Sequence, residues 1–106
     1  MEQEKVVPES WIKMKESSIE RKLVSDVRKR HCMAPKFVSP GLDGMPDRLI
    51  LLPGRRVAFV ETKAPGKKLK PLQLLRKVQL ETLGFKVYCV DGKEQVGGVL
   101  DEIQTT

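Results

Sequence analysis

The chain has 106 residues, 40% hydrophobic and 32% charged, with 20 Lys and Arg against 14 Asp and Glu for a formal charge of +6. That length accommodates one domain with one core and excludes a second. No apolar run approaches the ~20 residues of a membrane span, and Met1-Glu2-Gln3-Glu4 is no signal peptide, so a cytoplasmic setting without membrane attachment is expected.

The basic excess favours a polyanionic partner. Cys32 and Cys89 lack CxxC spacing, and His31 is the single histidine. Buried free thiols are expected in place of a zinc site or a disulfide scaffold, and no small-molecule cofactor is called for.

Residues 1–16 carry mixed charge, a proline and an isolated Trp11-Ile12, and are expected to form an arm that docks through Trp11; residues 17–106 form the domain. Ser17-Ser18-Ile19-Glu20 has the S-x-x-E form of a capping box, which predicts a helix to about His31 with Ile19, Leu23, Val24 and Val27 on its apolar side. Glu20 falls within that side. A carboxylate there needs compensation by an arginine, a backbone amide or a metal, unless it only reaches back to the Ser17 amide.

Lys36-Phe37-Val38 reads as a short strand before the turn-rich Pro40 to Gly44 loop. Asp47 to Leu52 and Arg56 to Lys63 then form a hairpin across Pro53-Gly54-Arg55-Arg56. If Pro53 and Arg56 close the turn, Asp47 faces Thr62; a one-residue change of turn places it opposite Glu61. Val57, Phe59, Glu61 and Lys63 share one face and Ala58, Val60 and Thr62 the other.

Pro71 suits the first turn of a helix carrying Leu72, Leu75, Val78, Gln79 and Leu83, stopped at Gly84. Phe85 to Val90 reads as a strand buried on both sides, and after Asp91-Gly92 a last helix carries Val96, Val99, Leu100 and Ile103. The expected order is αβββαβα.

Two E-x-K tripeptides occur, Glu20-Arg21-Lys22 and Glu61-Thr62-Lys63. In a helix residues i and i+2 diverge by roughly 200°, whereas in a strand they share a face, so only the second can build a site. Folding the hairpin brings Asp47, Glu61 and Lys63 to one sheet end. Lys67, Lys68 and Lys70 follow directly, and with Lys36 and Arg48 they are the candidate nucleic-acid contacts. Lysines beside an acidic pocket suit a phosphodiester, with carboxylates holding a metal against one phosphate.

Gly44-Met45-Pro46-Asp47-Arg48, Glu61-Thr62-Lys63-Ala64, the helix Glu20 and Gln73 together resemble the VRR-NUC branch of the PD-(D/E)XK nucleases, over about Ser17 to Val90. The resemblance implies an α/β restriction-endonuclease-like core, a central mixed sheet flanked by helices. It implies Mg²⁺- or Mn²⁺-dependent cleavage of DNA, with Glu20, Asp47, Glu61, Lys63 and Gln73 as site residues. Glu20, Asp47, Glu61 and the Thr62 backbone carbonyl are the implied metal ligands. Standalone members imply a homodimer that cuts Holliday junctions or other branched DNA, in a bacterial cytoplasm if phage-encoded. Two-fold symmetry would supply the paired cuts such a substrate needs. The competing readings are a basic nucleic-acid-binding module without catalysis and an adaptor in which Glu61 and Lys63 form an incidental ion pair.

Overall fold

A computed structural model describes residues 8–105. The first helix, α1 (Glu9–Lys29), begins two turns before the capping-box pattern, directly after Pro8. Ser17 and Glu20 are therefore helix-interior residues. Upstream of them the helix is supported by i,i+4 pairs: Glu9 with Lys13 at 3.7 Å, and Lys15 Nζ 5.0 Å from the Trp11 ring centroid. Residues 9–16 of the expected arm are thus helical, Trp11 is half exposed and packs on its own helix, and residues 1–7 lie outside the described residues. Ile19, Leu23 and Val27 are buried at i, i+4, i+8, the stripe that the helical period predicts.

The hairpin consists of β1 (Arg48–Leu52) and β2 (Arg56–Thr62), antiparallel, with Leu52 opposite Arg56 and Arg48 opposite Val60. The loop is thus three residues, Pro53 to Arg55, one longer than the first of the two expected closures. Pro53 has no N–H to continue the ladder, and Gly54 and Arg55 both take positive φ, 78° and 61°, to reverse the chain. Continued by one residue, this register sets Asp47 opposite Glu61.

The expected strand at 36–38 is reduced to two isolated bridges, Met33 with Leu51 and Lys36 with Arg48. Pro35 lies between them and cannot donate; it only accepts, from the Leu49 amide at 3.1 Å.

From the end of β2 the chain passes through α2 (Pro71–Thr82) to β3 (Lys86–Val90), which pairs parallel with β2. A 3₁₀ turn at Lys93–Gln95 leads into α3 (Val96–Gln104). The mixed sheet, ordered β1-β2-β3 and flanked by helices, is the expected α/β architecture. Its two faces follow the alternation of β2. Ala58 and Val60 join Ile50, Leu52 and Val90 against α1 and α3, while Phe59 joins Leu80 and Val87 on the α2 side.

Phe59 also meets Phe37 and Phe85 edge to face, with ring centroids 5.8 and 5.6 Å apart. Arg30 ties the end of α1 to α3, 2.6 Å from Gln104 Oε1 and 2.8 Å from Asp101 Oδ1. β3 is an edge strand, with Val87 and Val90 buried and Tyr88 and Cys89 half-buried; β2 carries the near-continuous burial instead. Helix α2 buries only Leu80, leaving Leu72, Leu75 and Val78 exposed, as is Leu83 just after it, since among the described residues nothing covers its outer side. Both cysteines are half-buried free thiols. Among the described residues no helix is long and apolar enough to cross a membrane.

Candidate active site

Asp47 sits one residue ahead of β1, and its backbone is anchored on both sides. Its carbonyl accepts the Phe37 amide at 2.8 Å, and its own amide donates to Glu61 Oε2 at 3.1 Å. Gly44 permits the approach to this position. It has φ of 86°, and a Cβ there would lie 2.7 Å from Leu72 Cγ and 3.1 Å from the Leu72 carbonyl oxygen.

Glu61 is 8% exposed, on the α2 side of the sheet. There its Oε1 accepts from Gln73 Nε2 at 3.3 Å, while Gln73 Oε1 accepts the Lys70 amide at 2.9 Å. Gln73 is thus both the N3 residue closing the start of α2 and a fixed partner for Glu61. Thr62 is fully buried, and its hydroxyl donates to Asp47 Oδ2 at 3.1 Å.

The other carboxylate oxygen, Asp47 Oδ1, is buried without a hydrogen-bond partner. Burial raises Asp47 above the usual carboxylate range against the hydrogen bonds from Thr62, with the negative field of Glu20 adding to the rise. Burial likewise pushes Glu61 from 4.5 up to about 7, assisted by the charge of Asp47 and opposed by Lys63. The two acids are joined through the Asp47 amide, both are raised, and one keeps an orphaned oxygen, so a positive charge placed between them would be stabilised.

A hard divalent cation fits that donor set, since Mg²⁺ and Mn²⁺ prefer carboxylate, carbonyl and water oxygens. A cation held by Asp47 and Glu61 would take up the orphaned oxygen and remove the penalty on both charges. Among the described residues, no three His, Cys, Asp or Glu side chains converge closely enough to hold a metal by themselves.

Glu20 is where the expected trio becomes a pair. Its Oε1 receives Arg48 Nη2 at 2.7 Å and Nε at 3.1 Å, and Arg48 Nη1 donates to the Ala34 carbonyl at 2.8 Å. The faces of the sheet explain this. Arg48 opposes Val60 and points to the α1 side, where Glu20 lies, whereas Glu61 points to the α2 side. Glu20 thus acts on Asp47 through its field. The compensation its position called for is an arginine. Arg48, a candidate phosphate contact, spends its guanidinium on protein acceptors and is only 15% exposed at its side chain.

Lys63 follows β2 directly, its amide bound to the Val90 carbonyl at 2.8 Å, and its charge acts on Glu61 without an ion pair within 4 Å among the described residues. Lys36, Lys67, Lys68 and Lys70 are exposed. The loop holding Lys67 and Lys68 is tied down by Asp91, whose Oδ2 accepts the Gly66 amide at 3.3 Å.

Sequence reasoning missed Asp91, the Thr62 hydroxyl and Glu16. Glu16 raises both Asp47 and Glu61. It lies one helical turn before Glu20, a spacing that signals a shared face once α1 is extended upstream.

No family model matches the chain. The chain is 49% identical over 81 residues to "Putative nuclease p44" of Acyrthosiphon pisum secondary endosymbiont phage 1, an alignment covering 76% of this chain and 87% of that protein. A solved structure described as a VRR_NUC domain superposes with a TM-score of 0.77 at 26% identity, covering 82% of this chain and 95% of that one.

Proposed function

The chain belongs to the VRR-NUC family of nucleases, and from that footing we propose that it is a divalent-metal-dependent DNA endonuclease acting as a homodimer on branched DNA such as a Holliday junction. The observation that carries the metal-dependent chemistry is the buried Asp47–Glu61 pair with its orphaned Oδ1. Asp47, Glu61 and the Thr62 backbone carbonyl would hold Mg²⁺ or Mn²⁺, while Glu20, held by Arg48, adds negative field at Asp47. The cation, when bound, acidifies a coordinated water and neutralises charge gathering on the phosphoryl oxygens.

The protein's own part is positioning. The Asp47 amide and Gln73 hold Glu61 in one rotamer, and the Thr62 hydroxyl does the same for Asp47. Lys63 presents a positive charge beside the acids, where it can orient the attacking oxygen or stabilise developing negative charge. Lys67, Lys68 and Lys70 supply phosphate contacts that set the backbone against the acids without reading bases. A dimer is supported by the exposed leucines and valine of α2, an apolar face that a second copy could cover.

The test is incubation of the protein with a labelled four-way junction, a linear duplex and plasmid, in Mg²⁺, in Mn²⁺ and in EDTA, alongside Asp47→Asn. Cleavage in metal alone, lost in Asp47→Asn and fastest on the junction, is the expected result. A metal-indifferent gel shift without cutting would return the protein to the class of passive basic binders. Sedimentation at micromolar concentration reads the oligomeric state.

A further inference from the structure

The site has a second cationic border that the strand and loop motifs do not contain. Helix α1 turns its exposed side toward the bridged segment around Lys36, and between them runs a groove of about 840 Å³. Arg21, Arg28 and Lys29 line it from the helix and Lys36 from the opposite side. Glu20 and Arg48 close it at the end that leads to Asp47.

The four outer cations are distinguished by what they lack. Among the described residues, the side chains of Arg21, Arg28, Lys29 and Lys36 make no hydrogen bond or ion pair, whereas Lys22, Arg30, Arg48, Arg76 and Lys77 are all engaged by protein acceptors. The one acid in the groove, Glu20, is neutralised by Arg48. The groove therefore presents four positive charges with no internal use.

Two of them share one side of the helix: Arg21 and Arg28 are seven residues apart, two helical turns or about 10.5 Å along the axis. Hydroxyls of Ser17 and Ser25 lie on the same stripe.

We propose that this α1 groove is a phosphate track holding the backbone of one nucleic-acid strand, with Arg21 and Arg28 each neutralising a phosphate and Lys36 facing them. The track delivers the strand past the Glu20–Arg48 pair to Asp47 and Glu61. This rests on the nuclease reading above and adds to it the direction from which substrate reaches the acids. The groove carries no base-reading geometry, so recognition there is of backbone.

The experiment measures binding of a fluorescein-labelled DNA duplex by the full chain in EDTA, over 50 to 300 mM NaCl. The variants are Arg21→Gln/Arg28→Gln, the conservative Arg21→Lys/Arg28→Lys, and a matched neutralisation at the opposite end of the sheet, Arg55→Asn/Lys86→Gln. Each lost phosphate contact lowers the slope of log K against log salt by ~0.9. The glutamine pair is expected to lower it by about 2 and to weaken binding by roughly 30-fold at 0.15 M salt. The lysine pair and the far-end pair should stay near wild type.

A wild-type slope in the folded glutamine variant, checked by circular dichroism, overturns the proposal, as does an equal loss in the far-end pair. Failure of the nuclease reading is separate. In that case the wild type does not cut in metal although the glutamine pair still loses its slope; a failed track leaves cutting intact and the slope unmoved.

Discussion

The substitution Glu61→Gln should make the metal-free protein more stable at high pH while abolishing cleavage. Glu61 is pushed from 4.5 to about 7 by burial and by Asp47. Its folded-state value lies above its unfolded one, so the folded chain holds the proton more tightly. Stability is accordingly present at low pH and is lost as pH rises from about 4.5 through 7. At 1.36 kcal/mol per decade the full displacement corresponds to about 3 kcal/mol, and screening by water at the open site reduces this to about 2.

The amide introduced by Glu61→Gln has no charge to desolvate, but only one of its two terminal atoms accepts. With its carbonyl facing the Asp47 amide, its NH₂ meets the Gln73 NH₂ and loses that hydrogen bond, about 1 kcal/mol. Glu61→Gln should therefore be about 1 kcal/mol more stable than wild type at pH 8 and level or slightly less stable at pH 5. Urea unfolding in EDTA, followed by circular dichroism at both pH values, reads this difference. Magnesium at about tenfold its dissociation constant should restore roughly 1.4 kcal/mol to the wild type and nothing to the variant. A stability difference that does not move with pH would refute the placement of Glu61 as a buried, charge-strained acid.

Three further substitutions probe other links. Lys63→Ala should bind DNA within about threefold of wild type but cut it roughly 10² to 10³ times more slowly, and full cleavage at saturating Mg²⁺ would remove Lys63 from the chemistry. Gly44→Ala forces both a positive φ and a clash with Leu72; it should lose about 2–3 kcal/mol, whereas Gly41→Ala, with φ of 83° but open space around it, should lose about 1, by thermal melting. Arg48→Ala leaves Glu20 half-buried without its partner, at about 1–3 kcal/mol. Adding Glu20→Gln should then recover part of that loss, a non-additivity that a double-mutant cycle detects.

Which side chains share a face was legible where side-chain periodicity is short and rigid. In β2, alternation alone puts Phe59 and Glu61 on one face and Ala58 and Val60 on the other, and the structure places Phe59 and Ala58 in separate clusters accordingly. The apolar stripes of α1 and α3 follow from the helical period in the same way. Where local signals compete, the sequence is ambiguous. The S-x-x-E pattern at Ser17 is equally compatible with a helix interior, and Pro35 and Pro53 each withdraw one donor, shortening a strand and lengthening a turn.

The sequence by itself determined which residues carry charge and which segments are amphipathic, because both depend on near neighbours. It also determined that Asp47 and Glu61 meet, once a hairpin is granted. Only the tertiary structure decided that Glu20 belongs to Arg48 and reaches Asp47 through its field, because that depends on which side of the sheet each helix covers. The same placement leaves Asp47 Oδ1 without a partner and Arg21 and Arg28 without a use inside the fold. Distances between segments far apart in the chain are set by packing, and local propensity contains no term for them.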